Sequence, residues 1–144
     1  MEIAVKKLTK TAQLPRKNKT EHNGTYALYA DLKEAVSIPP GKAAEIPTGL
    51  AVDIPDGYIG LLFIRKKSAF KDRLQLMNGI GFIRSDCYSE ITILIKNDCP
   101  AEMDPDHLEG PVRVISPGDH IAQLVIVPCV SADFYSVDEE HRKL

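Results

Sequence analysis

The sequence predicts an all-β fold, a sandwich or barrel in one domain over 1-144. Three observations predict it. Short apolar or alternating runs recur along the chain, turn residues close most of them, and only Lys67 to Leu74 has a helical pattern. Many short strands with almost no helix exclude the strand–helix alternation of a doubly wound sheet. A chain of 144 residues with 44% hydrophobic content can bury one ordinary core and is too short for two.

The runs follow in order. Ile3 to Val5, Ala43 to Ile46, Leu50 to Ile54, Tyr58 to Ile64, Glu90 to Ile95, Val112 to Ile115 and Ile121 to Pro128 read as strands. Their stops are Pro39-Pro40-Gly41, Pro47-Thr48-Gly49, Pro55-Asp56-Gly57, Asn78-Gly79 and Pro117-Gly118-Asp119. In each, proline presets φ or glycine accepts the positive φ that a tight turn needs. There is no internal repeat and no low-complexity tract.

A formal net charge of -2 argues against a general nucleic-acid or membrane-surface binder, and no sequence-specific nucleic acid is expected as a partner. The amino end, 1-24, is nevertheless basic. It carries Lys6, Lys7, Lys10, Arg16, Lys17 and Lys19 against Glu2 and Glu21. No apolar run reaches the ~20 residues of a membrane span and no signal-peptide core is present, so a cytoplasmic setting without membrane contact is expected. Cys87, Cys99 and Cys129 are odd in number and lack C-x-x-C spacing, which speaks against a disulfide framework or a zinc site. The segment 98-111, DCPAEMDPDHLEGP, reads as an inserted surface or subunit-contact loop. Its Glu102, Asp104, Asp106, His107 and Glu109 follow no EF-hand order, and no metal site is expected there.

IPPGKAAEIPTGLAVDIPDGYIGLLFIR, then NGIGFI, then PGDHIAQLV, resembles the dUTPase family in order and spacing over about Tyr26 to Pro128. The resemblance implies a jelly-roll β-barrel or sandwich assembled as a homotrimer, with the carboxy-terminal strand exchanged to a neighbour. The apolar run LVIVP suits that assembly, since a lone small sandwich would leave it partly exposed. It also implies hydrolysis of dUTP to dUMP and pyrophosphate.

The individual motifs depart from the family's. The first, G-x-D-L-x-A, falls on Thr25-Tyr26-Ala27-Leu28-Tyr29-Ala30, with Ala27 where an aspartate supports the magnesium and phosphate end; Asp31 is near but out of register. The second, P-R-S-[GS], falls on Ile64-Arg65-Lys66-Lys67, so a lysine replaces the serine and Ser68 follows. In the third, GFIRSDCYSEI, Arg84 and Cys87 stand where the family has the water-activating aspartate and the tyrosine that excludes a ribose 2'-hydroxyl. Asn78, with Gly79 and Ile80, falls on the hairpin that reads the base edge. The fourth, from Gly118 to Val125, is almost intact, with His120 where arginine is usual and with the phosphate-reaching Gln123. A fifth, glycine-rich lid is missing from the tail 130-144.

Arginine stays protonated and cannot act as a general base, and Ala27 offers a magnesium ion no oxygen. The expectation is therefore an inactive relative with no catalytic residue, no metal ligand and no cofactor. Arg65, Lys66, Lys67 and Arg84 would hold the phosphates of a nucleotide or cyclic nucleotide-type molecule, as in a phage-type counter-defence sponge. Two alternatives stand beside it. One is an active dUTP diphosphatase with rearranged groups, Asp86 as the base and magnesium as cofactor. The other is a trimeric protein-interaction module using the basic amino end and the loop 98-111.

Overall fold

The computed structural model describes residues 1–17, 24–100 and 111–138. Among these the elements run β1 (Val5–Lys7), β2 (Arg16–Lys17), β3 (Thr25–Tyr29), β4 (Val36–Ile38), β5 (Ala43–Pro47), β6 (Leu50–Val52), β7 (Tyr58–Ile64), α1 (Lys66–Lys71), β8 (Leu74–Leu76), β9 (Gly81–Ile83), β10 (Thr92–Asn97), β11 (Arg113–Ile115) and β12 (His120–Pro128). The fold is all-β, as the sequence predicts, and its sheets form a jelly roll. Strands β2-β3-β12-β7-β9 make a five-stranded sheet, β5-β10-β8 a three-stranded one, and β1-β6 and β11-β4 two pairs. Every pairing is antiparallel. No described helix is long and apolar enough to cross a membrane.

Alternation builds the core. Along β10, Ile93, Ile95 and Asn97 point inward while Leu94 and Lys96 face out; β8 buries Leu74 and Leu76 around Gln75. Leu28 of β3, Leu62 of β7, Ile83 of β9 and Leu124 of β12 join Ile46, Ile93 and Ile95 in one cluster. Each fully buried aliphatic side chain contributes about 1.5–3 kcal/mol of apolar transfer. On β12 the alternation breaks where Ile121 and Ala122 are both buried. A register shift between His120 and Ala122 against β3 explains this, since a bulge lets two successive residues face the same side.

Asn97 is fully buried and fully used. Its amide donates to the carbonyls of Ile38 (2.8 Å) and Pro111 (2.9 Å), and its Oδ1 accepts the Cys99 N–H at 3.0 Å. One side chain thus joins the ends of β4 and β10 to the segment entering β11. The amino end is strapped down differently. Thr9 and Thr11 donate their hydroxyls to Asp31, the Asp31 N–H reaches Pro47 O at 2.8 Å, and the Leu8 N–H reaches Gly49 O at 2.7 Å. Gly49 sits inside this knot with φ +66°, and a Cβ there would collide with the Asp31 carboxylate and with Ala12 Cβ at 2.8 Å.

Several boundaries differ from the sequence reading. Only the run from Tyr58 to Ile64 keeps both ends; the first strand is Val5–Lys7 rather than Ile3 to Val5, because Val5, Lys6 and Lys7 pair with Val52, Ala51 and Leu50. The helix is Lys66–Lys71, not Lys67 to Leu74, since Arg73 turns to φ 52° and Leu74 begins β8. Strands β2, β3, β4, β8 and β9 were not anticipated: apart from β3 none exceeds three residues, too short for periodicity to register. The loop residues 101–110 (with Glu102, Asp104, Asp106, His107 and Glu109), the amino-end residues 18–23 (with Lys19 and Glu21) and the last residues 139–144 lie outside the described residues.

Candidate functional site

The outward face of the five-stranded sheet carries the first half of the site. Leu28 points into the core, so its neighbours Ala27 and Tyr29 face the other way. Cross-strand partners share a face, and the registers Arg16↔Ala27, Ala27↔Gln123 and Gln123↔Phe63 lay one row across four strands. Tyr29↔His120 lies beside it. Ala27 and Gln123, which the resemblance assigns to the carboxylate and glutamine of its first and fourth motifs, are therefore direct neighbours, and Ala27 is buried.

At the end of this face β7 runs into Arg65, whose extended backbone (φ -65°, ψ 138°) caps α1, and whose carbonyl accepts the Ala69 N–H at 2.9 Å. No residue of α1 is buried, so its side chains are free for solvent or ligand. A cleft of about 480 Å³ opens here, lined by Arg65, Lys67, Ser68, Asp72, Arg113, Asp119 and His120 over a floor that includes Leu74, Ile95 and Ile121. Arg113 is anchored, with Nε donating to Asp72 O at 2.8 Å and Nη2 standing 3.4 Å from Cys99 Sγ. Asp119 is engaged too, its Oδ2 accepting the Ser116 N–H at 2.8 Å.

Among the described residues, His120 is a titratable group whose pKa is displaced by its surroundings. Its Nε2 donates to Ala122 O at 3.0 Å, its ring lies 5.6 Å from that of Tyr29, and the Arg16 guanidinium sits 5.9 Å from the Tyr29 ring centre. Burial holds its pKa below the usual histidine value, the nearby Arg65 charge pushes the same way, and the bond to Ala122 opposes both.

The second half lies on the turn that links β8 of the three-stranded sheet to β9 of the five-stranded one, and on the turn after β9. Gly79 takes φ 74° and its N–H reaches Leu76 O at 3.0 Å, which leaves Asn78, Gly79 and Ile80 exposed at the tip. Beyond β9, the Cys87 N–H closes a turn onto Arg84 O at 3.1 Å, and Arg84 Nε contacts Asp86 Oδ1 at 3.0 Å in the open.

Of the residues expected to bind ligand, the single chain brings Arg65, Lys67 and Ser68 to one cleft and puts Gln123 on the adjoining sheet face. Lys66, Asn78, Gly79, Ile80, Arg84 and Cys87 do not line that cleft. The four cations expected to converge are thus divided within one chain. Arg113, His120 and Arg16 were missed as site residues. His120 stood out in the sequence only as a departure from arginine, Arg16 only as part of the basic amino end, and Arg113 gave no signal. Asp31, out of register in the sequence, holds Thr9 and Thr11 and is not part of this face.

Ala27 presents a methyl at the position where the family resemblance places the carboxylate that supports magnesium, and among the described residues no group of three or more His, Cys, Asp or Glu could hold a metal ion.

The fold is an all-β jelly roll that carries cations at the end of β7, on α1 and in the turn after β9. Comparison with known proteins makes this specific. The family model described as dUTPase matches residues 10–143. A deoxyuridine 5'-triphosphate nucleotidohydrolase of Cutibacterium acnes is 38% identical over 112 residues, 76% of this chain and 68% of that protein. The dUTPase from phage phi11 of S. aureus superposes with a TM-score of 0.84 at 28% identity, covering 100% of both chains. A variant dUTPase of Staphylococcus bacteriophage 80alpha with dUpNHpp superposes at 0.77 with 30% identity over 99% of this chain and 95% of its own. The chain belongs to the dUTPase family.

Proposed function

We propose that this chain is a cytoplasmic, homotrimeric protein that takes dUTP, or a deoxyuridine nucleotide close to it, between subunits. The observation that carries the reading is the division of the site: the phosphate-side residues Arg65, Lys67, Ser68 and Gln123 lie apart from the base-side turn at Asn78. A second copy supplying the Asn78 turn would complete one pocket.

The relatives are named for hydrolysing deoxyuridine triphosphate, which favours turnover of dUTP to dUMP and pyrophosphate over sequestration of a nucleotide signal. Those names lend no support to the sponge reading. In the hydrolytic reading the carboxylate of the turn after β9, Asp86, accepts the proton of the attacking water. A second reading, binding without cleavage, is favoured by one specific pair of substitutions. Arg84 stands at the expected aspartate, and Ala27 beside Gln123 removes the metal support.

One experiment separates them. Pyrophosphate release from dUTP with magnesium, lost in Asp86→Ala, supports turnover. Calorimetric binding of dUTP in EDTA with no release under any condition supports the second reading. Neither binding nor release would remove both.

A further inference from the structure

We infer that the cleft beside α1 is a proton-linked anion site, in which His120 takes up a proton as a phosphate or sulfate group enters next to Arg65. The inference rests on the proposed placement of a nucleotide's phosphates at this face, and adds to it a pH-dependent specificity residue.

The geometry of the imidazole carries it. Nε2 faces the carbonyl of Ala122 at 3.0 Å, and a carbonyl only accepts, so Nε2 holds the proton of the neutral ring. Nδ1 has no hydrogen-bond partner among the described residues and, in that neutral ring, is an acceptor. An anion's oxygen is also an acceptor. The two can meet only if Nδ1 gains a proton, after which the imidazolium donates from both nitrogens.

The surroundings set the balance. Facing His120 across the cleft are Arg65 at the end of β7, Lys67 on α1 and Arg113 on β11. Tyr29 lies across on β3 with Arg16 over its ring. The carboxylates are Asp119, committed to the Ser116 N–H, and Asp72 beyond α1. Burial and Arg65 by themselves favour the neutral ring near pH 7. An arriving anion screens Arg65 and gives the ring a counter-charge, so the protonated form is favoured only with ligand present. Where arginine is usual in the family's motif, a permanent cation is replaced by a conditional one.

Inorganic sulfate is the probe, because it does not titrate between about pH 5.5 and 7.5. The wild-type protein should hold sulfate on the order of tenfold more tightly at about pH 5.5 than at about pH 7.5, as one added charge-assisted bond implies. Calorimetry in buffers of different ionisation heat should show proton uptake on binding. His120→Gln should bind with the same weak affinity at both pH values, and His120→Arg with the stronger affinity at both. Sulfate affinity that is flat with pH in the wild type, or equally steep in His120→Gln, overturns the inference and leaves the nucleotide pocket standing. No sulfate binding at either pH overturns the inference and the phosphate placement together.

Discussion

Arg84 Nε lies 3.0 Å from Asp86 Oδ1, with both side chains mostly in solvent. The turn after β9 therefore presents a cation and a carboxylate side by side, and the two readings of the site differ in which one meets the nucleotide. Because exposed ion pairs add little to stability, neither Arg84→Asp nor Asp86→Ala should move the Tm measurably. Arg84→Asp should weaken nucleotide binding by on the order of tenfold to several hundredfold, through a lost charge-assisted bond and a new repulsion. Equal affinities of the two proteins, measured by calorimetry, would place Arg84 outside the pocket.

Gly49→Ala should be costly. The residue has φ +66° and its missing Cβ faces Asp31, Thr9 and Ala12 in the strap of the amino end. Left-handed backbone strain and overpacking together should destabilise by about 2–4 kcal/mol. Chemical denaturation reads this out, and an unchanged midpoint would show that the strap yields freely.

Asn97→Leu should behave differently from an ordinary core change. It keeps the volume near Ile38 and Ile95 but abandons two carbonyls and the Cys99 N–H inside the protein. Buried groups left unpaired cost about 1–3 kcal/mol each, so a loss on the order of 3 kcal/mol or more is expected in urea unfolding. Asn97→Asp should recover little, since an aspartate cannot donate to Ile38 and Pro111.

Acid should weaken the fold through His120. Its pKa is held below the usual 6.5 in the folded protein, so between that value and the lowered one the unfolded chain binds more protons. Stability is then greatest above about pH 6.5 and declines as pH falls. In thermal melts without added anions, His120→Gln should lose less Tm than the wild type over that interval. Parallel curves would mean that the ring does not titrate differently on folding.

The homotrimer is checked by light scattering at micromolar concentration, which should return three times the 15.9 kDa chain. A monomer mass would remove the basis for completing the pocket with a second copy's Asn78 turn.

The parts of the fold that were legible in the sequence are those where one residue's chemistry decides the backbone. Asn78-Gly79 makes its turn because glycine accepts φ 74°, and the run from Tyr58 to Ile64 reads as a strand because its neighbours bury alternate positions. Strands β8 and β9 were illegible, since three residues are too few to repeat an alternation and Leu74 looks like the end of the preceding helix. In the candidate site, motif order pointed to Arg65, Lys67 and Ser68, which share the cleft, and to Gln123 on the adjoining sheet face. Arg113 was not, because its role depends on Asp72 O and Cys99 Sγ, which only folding brings to it. Arg16 likewise becomes a site neighbour only when β2 pairs with β3 and carries it over Tyr29.

Strand β12 is bonded along both edges, to β3 on one side and to β7 along seven registered pairs on the other, and it carries His120 and Gln123. Its amide protons should be among the slowest in the chain to exchange with deuterium, while those of α1, which buries no side chain, should exchange quickly. The cleft thus has one stationary jaw and one yielding jaw. A ligand of unexpected length would be accommodated by Lys67 and Ser68 giving way, with His120 staying where the sheet holds it.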